Sequence, residues 1–150
     1  MGFLDGMDIS ASGLTAQRLR MDTIASNLAN AESTRVANGT GPYRRQVVVF
    51  EAKNSEQSPS FSDILGQQMA SLGGVRVKEI HQMDEKEAPF RRVYEPGHPD
   101  ADAQGYVNYP NVNAVEEMID LVSSTRSYQA NAQVIDGIKA MTLKALEIGK

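Results

Sequence analysis

The 150-residue sequence predicts an α+β fold, with long N- and C-terminal helices forming a coiled-coil-like hairpin and a small β-rich middle domain inserted between them. Three observations predict it. From Val112 the chain carries no proline, and apolar residues recur at three and four: Val115, Met118, Val122, Ala132, Ile135, Ile138, Met141 or Thr142, and Ala145. That is the period of a helix with one buried stripe. From Asp8 to Ala31 proline is again absent, and Met7, Leu14, Met21 and Leu28 fall seven apart with Ala11, Ile24, Ala25 and Ala31 beside them. Heptad-like spacing suits a seam between long, nearly parallel helices. Between the two stretches lie Val47, Val48, Val49 and Phe50, a β-branched and aromatic run among turn-rich segments.

In chain order, Gly2–Gly6 reads as a short flexible lead, with the first helix starting near Asp8 or Ser10, both good caps. Its end is marked by Asn27, Asn30 and Ser33-Thr34, and Asn38–Pro42 follows as a turn or loop. Tyr43–Ala52 is a strand, and Lys53–Ser60 a polar loop. Phe61–Leu72 reads either as a short helix capped by Ser60 or Ser62 or as a mobile insertion. After Gly73-Gly74, Val75–Ile80 alternates apolar and polar as a half-exposed strand does. Phe90–Tyr94 is a short extended piece, Pro96–Gly105 has strong turn chemistry, and Tyr106–Tyr109 is a short strand or arm ending at Pro110. Asn113, with Glu116 three residues on, has capping-box spacing. A helix from there to Ile148 would be roughly 50 Å long at 1.5 Å per residue, more than the roughly 30–35 Å width of a domain of this size.

The expected organisation is 1–35 as N-terminal helix, 36–111 as middle domain with the ambiguous 54–72 segment inside it, and 112–150 as C-terminal helix, the two helices forming one unit. Val47, Val49, Val75, Val77, Ile80, Val93 and Val107 are the candidate core of the middle. Both helical stripes are polar for a seam, and Thr125 and Gln129 sit where leucine is expected. Two readings stay open: a surface completed by other subunits, or an intramolecular hairpin stable alone.

Composition excludes several classes. Net charge is −4, which disfavours nucleic acid. Cysteine is absent, so disulfides, thiolate catalysis and cysteine zinc sites are excluded. No run approaches the ~18 apolar residues of a membrane span. Met1–Gly6 has no basic flank, apolar region or cleavage site of a secretory signal peptide, and is a poor myristoylation match.

Chemistry-bearing candidates are few. His98, Asp100 and Asp102 place a histidine and two carboxylates within five residues, the donor types a metal hydrolase wants. Pro96, Gly97 and Pro99 already explain the segment as a turn whose Asp side chains hold their own backbone. The hydroxyl residues have no nearby histidine base, and Gly73-Gly74 is no phosphate loop. No cofactor or metal is expected. Arg44-Arg45 and Arg91-Arg92 should each turn one arginine outward, toward solvent or toward acidic groups of neighbours. Arg126 is a candidate partner for an acidic residue across the helix seam.

Ser26-Asn-Leu-Ala-Asn-Ala31, with Ala11–Asp22 ahead of it, resembles the N-terminal signature of the bacterial flagellar axial proteins, the rod, hook and hook-associated family. The resemblance is closer to its proximal rod members, through Tyr43–Phe50, Gly74–Val77, Val93–Asp102, Gly105–Asn113, Glu117-Met118 and Arg126–Asn131. It covers nearly the whole chain except Asn54–Leu72. It implies a structural subunit without catalytic activity, exported unfolded by the flagellar type III route without a cleaved signal peptide. Such a subunit would polymerise through its terminal helices into a hollow rod that transmits torque. The implied location is the flagellar basal body outside the cytoplasm, in periplasm or cell wall. The implied partners are copies of itself, other proximal rod proteins, the basal-body adaptor at the membrane ring and the distal rod, without membrane insertion.

On that basis Leu14, Met21, Ile24, Leu28, Val115, Met118, Val122, Ile135 and Leu146 are the expected inter-subunit seam. Asn27, Asn30, Asn131 and Arg126 are the expected polar residues that set register, as a buried Asn does in coiled coils. The alternative for the three asparagines is helix-end caps on a solvated face, and it stays open for Asn30. Two other classes compete: a metal enzyme built on His98, and a cytosolic coiled-coil adaptor that would be a closed, fully helical dimer alone.

Overall fold

The computed structural model describes residues 3–36, 41–53, 73–84 and 86–148. Its elements are α1 (Phe3–Ala29), β1 (Gln46–Ala52), β2 (Val75–Gln82), β3 (Arg91–Tyr94), β4 (Tyr106–Tyr109) and α2 (Ala114–Ile148). The α+β class and its order, helix, small β-rich middle, helix, are those expected from the sequence. Phe61–Leu72 lies outside the described residues.

The described residues resolve into two compact units. One draws on the described residues within 3–18, 50–53, 73–78 and 125–148, the other on those within 19–36, 41–49, 79–84 and 86–124. Each contains part of both helices. In the first, Gly13 meets Asn131 and Gly6 meets Ile138, so the helices run antiparallel. In the second, Asn27 meets Glu117 and Arg20 meets Asp120, again antiparallel.

Helix α1 starts at Phe3, earlier than the caps suggested. Ser10 is not a cap. Its hydroxyl donates to the Gly6 carbonyl at 2.9 Å, one turn back inside the helix. Gly6, a poor helix former, is kept helical by packing, since a Cβ there would lie 3.2 Å from Ile138 Cδ1. Helix α2 starts as read: Asn113 Oδ1 accepts the Val115 N–H at 3.1 Å, the N-cap bond.

Strand β1 pairs with β2, and β3 with β4, as two two-stranded sheets. Lys53 N–H donates to Gly74 O at 2.7 Å beyond one end of β1, and Met83 N–H to Arg45 O at 2.9 Å beyond the other, an antiparallel sense. β1 begins at Gln46 rather than Tyr43 because the preceding residues bond elsewhere: Tyr43 N–H to Ser33 O, and Arg45 N–H to Asn111 Oδ1. In the second sheet Val93 faces Val107 and Tyr94 faces Tyr106. Val107 is buried, whereas Val47, Val49, Val75, Val77 and Val93 are half-buried. Ile80 is exposed, against expectation. The strand period of two puts Val75 and Val77 on one face with His81, and Ile80 on the other.

The hairpin turns at Gly105, whose φ of +83° favours glycine. A Cβ there would also lie 2.9 Å from Tyr94 Cε2. Gly105→Ala should destabilise the chain by about 1–3 kcal/mol, read as a fall in the urea midpoint at unchanged slope.

Candidate assembly interface

The second unit is organised around a buried carboxylate. Glu117, on the first turn of α2, is 1% exposed. Its Oε1 accepts from Arg45 Nε at 2.7 Å, and its Oε2 from Asn27 Nδ2 at 3.0 Å. Asn27 is buried to the same degree. Its amide donates to Gln46 O at 2.8 Å and accepts from Gln46 N–H at 3.0 Å. An asparagine side chain thus pairs with the first residue of β1 as a neighbouring strand's backbone would. Tyr43 O–H donates to the same Asn27 Oδ1 at 3.0 Å. Asn111, in the turn before α2, accepts the Arg45 N–H and donates to Ala88 O at 2.9 Å. Burial of an ionised carboxylate is tolerable only with such charge-assisted donors.

The first unit uses smaller groups. Ser12 Oγ donates to Ile9 O at 2.6 Å and accepts the Val75 N–H at 3.0 Å, so α1 caps the start of β2. Gly74 permits this approach: any Cβ there would collide with the Ser12 hydroxyl. Gly13 leaves room for Asn131, whose Nδ2 would lie 3.0 Å from an added Cβ and which itself donates to Ser127 O.

Helix α2 presents two faces in the second unit. Glu117, Leu121 and Ser124 turn inward, buried or half-buried. Val115, Met118, Ile119 and Val122 are 60%, 48%, 64% and 52% exposed. At 3.6 residues per turn they lie roughly 100–200° around the helix from Glu117. The single stripe read from the sequence, with Val115, Met118 and Val122 in line with Ile135 and Ile138, is therefore not one buried face. The polar set is inside because Arg45 and Asn27 hold Glu117 there, and the apolar set is left outside.

The other expected seam residues divide similarly. Ile24 is buried in the second unit, where Met21 and Leu28 are half-buried, and Leu14 and Ile135 are half-buried in the first. Leu146, further along α2 than the Gly13–Asn131 and Gly6–Ile138 contacts, is 65% exposed. Among the polar residues, Asn27 bonds across the helix pair. Asn30 is a helix-end group, donating to Ser26 O at 2.9 Å and accepting from Ser33 Oγ. Asn131 bonds its own helix. Arg126 is exposed and makes no ion pair among the described residues; the arginine that pairs across the helices is Arg20, 3.7 Å from Asp120, and Arg45 reaches Glu117 from the approach to β1. Sequence reasoning names Glu117 only within the Glu117-Met118 segment of the resemblance and gives it no role; the available signal was its heptad position, seven residues before Ser124.

Arg44 and Arg45 do split: Arg44 pairs with Asp84 and lies 5.3 Å over Phe90, while Arg45 turns inward. Arg91 and Arg92 are both exposed, stacked over Tyr109 and Tyr106. In the Pro96–Gly105 loop the carboxylates serve the turn. Asp102 Oδ1 accepts the Gln104 and Tyr106 N–H groups, and Oδ2 pairs with Arg92. Asp100 accepts from Thr34 Oγ1 at 2.7 Å and pairs with Arg35, while His98 Nδ1 accepts the Asp100 N–H. The Thr34 hydroxyl, then Arg35, hold Asp100 below the ordinary carboxylate range; the Tyr106 and Gln104 N–H groups and Arg92 do the same for Asp102.

A helix pair tied by a buried polar network, with a second apolar face left open, is the geometry of a helical structural subunit. The comparisons with known proteins agree. The family model described as flagella basal body rod protein matches residues 7–35, and that described as flagellar basal body rod FlgEFG protein C-terminal matches 103–148. A flagellar basal-body rod protein FlgC of Bacillus subtilis strain 168 is 49% identical, covering 96% of each chain. The FlgC of Escherichia coli O157:H7 is 44% identical over 100% of both chains, and that of Borreliella burgdorferi 41% identical over 99% of this chain and 98% of its own. The chain belongs to the FlgC family of flagellar basal-body rod proteins, and it is a structural protein of that rod.

Asn27→Asp removes both amide donors and sets a second carboxylate against Glu117. It should cost about 3–5 kcal/mol, as breaking a buried ion pair does, in urea unfolding. Asn30→Asp, at a half-buried helix end, should cost less than about 1 kcal/mol. The depressed Asp100 and Asp102 contribute stability that is complete above the unfolded carboxylate pKa and is lost as pH falls through their folded values. Amide resonances of Gln104 and Tyr106 should therefore shift below about pH 4 in an NMR titration, and Asp102→Asn should abolish that movement.

Proposed function

We propose that this rod protein polymerises, with copies of itself and with other proximal rod proteins, through α1 and α2 into the hollow shaft. The single observation that carries this is the exposed face Val115, Met118, Ile119 and Val122. Four large apolar side chains at i, i+3, i+4 and i+7 form the stripe by which one helix packs on another. Covering the roughly half of each that is exposed is worth about 1 kcal/mol, and a contiguous face of this kind marks an interaction site. An open-ended tube follows when such a contact is heterologous and does not close. The subunit has no catalytic role in this reading, the carboxylates near His98 being occupied by turn backbone, Thr34 and arginines. No helix among the described residues is long and apolar enough to cross a membrane. Export without a cleaved signal peptide, residence outside the cytoplasm, and contact with the membrane-ring adaptor and distal rod belong to the same proposal.

Ile119→Asp/Val122→Asp tests it in cells carrying the variant as their sole copy. Far-UV circular dichroism and thermal melting of the purified variant should match the parent, because both side chains are already in water. Isolated basal bodies should lack the protein and the cells should not swim. Normal incorporation and swimming would overturn the assembly role of this face.

A further inference from the structure

We propose that Tyr43–Gln46 is a latch whose seating closes the α1–α2 pair of its unit, so that docking of this extended segment and pairing of the two helices are one cooperative event. The helices cannot satisfy their own buried groups. Between Asn27 and Glu117 there is one direct bond, Asn27 Nδ2 to Glu117 Oε2. Every other hydrogen bond described for these two side chains comes from the latch: Gln46 O and N–H, Tyr43 O–H and Arg45 Nε. With the latch away, a closed pair would enclose a carboxylate with one neutral donor and an amide oxygen with none. That state costs far more than an open one in which water reaches both.

The latch is itself anchored from the middle of the chain. Arg45 N–H donates to Asn111 Oδ1, Asn111 holds Ala88 O, and Met83 N–H donates to Arg45 O. Folding of the segments around Met83 and Ala88 is thereby transmitted to the helices through one arginine. Val115, Met118, Ile119 and Val122 occupy the same turns of α2 as Glu117. Seating of the latch therefore orders the turns that present the open apolar face. This last consequence rests on the assembly reading; the latch does not.

Hydrogen exchange on the full-length chain tests it with Arg45→Met and with Arg45→Met/Glu117→Met. The single variant leaves the carboxylate unpaired, and exchange of amides 19–29 and 114–124 should rise together, by a common factor on the order of a hundredfold. The apolar double variant, which removes the charge as well, should return both sets to within about threefold of the parent. Amides 6–14 and 131–138 of the other unit should change much less. The proposal is overturned if the single variant affects only 43–46 or only one helix. It is equally overturned if both units open by the same factor, if the double variant stays as open as the single, or if the parent helices are unprotected. Rod incorporation by the double variant, read separately, tests the assembly consequence: absence of incorporation despite restored protection would remove that link and leave the latch standing.

Discussion

The ionised carboxylate of Glu117, enclosed at 1% exposure, is the constraint from which the second unit follows. A charge in that position requires donors, and the fold brings them from two directions: Asn27 from α1 and Arg45 from the approach to β1. Each donor fixes something else. Asn27 places the start of β1 by pairing with the Gln46 backbone, and Arg45 positions the turn before α2 through Asn111. Helix register, strand entry and helix start are thus fixed by one set of hydrogen bonds. Polar contacts of this kind specify a single arrangement, where an apolar seam would accept sliding by a turn.

The same carboxylate decides what α2 offers to the outside. A helix can turn one face inward. Here the inward face carries Glu117 and Ser124, so Val115, Met118, Ile119 and Val122 face water. A protein built to be complete alone would do the reverse. For a rod protein the inversion fits the proposed assembly: polar bonds tie the helix pair within its unit, and the apolar area stays free for the contacts proposed above.

The first unit shows the same economy with smaller groups. Ser12 caps the first N–H of β2, Gly74 lets it approach, and Gly13 lets Asn131 sit against α1. Small and polar residues in α1, which weaken it as an isolated helix, are the ones that allow backbone and strand to come close. Their low helix propensity is overridden by what packs on them.

Much of this was legible from residue pattern. Both long helices, the Asn113 cap, β2 and the two extended pieces that become β3 and β4, with the turn-rich segment between them, follow from proline spacing, heptad spacing, alternation and turn chemistry, because these are local properties of the chain. So does the turn role of Asp102. The pairing of β3 with β4 does not. Asn27 was found as a polar residue beside a seam. What local pattern could not decide was direction. Apolar spacing says that a helix has a stripe, but not whether that stripe or another is covered by the same chain. That choice was made by Arg45, 72 residues from Glu117 along the sequence, reaching the carboxylate and drawing the polar face inward. The sequence by itself determined the elements, their order and the kinds of groups each carries. Only the tertiary structure decided which face each helix buries, because the free energy of enclosing a charge depends on donors supplied from distant parts of the chain.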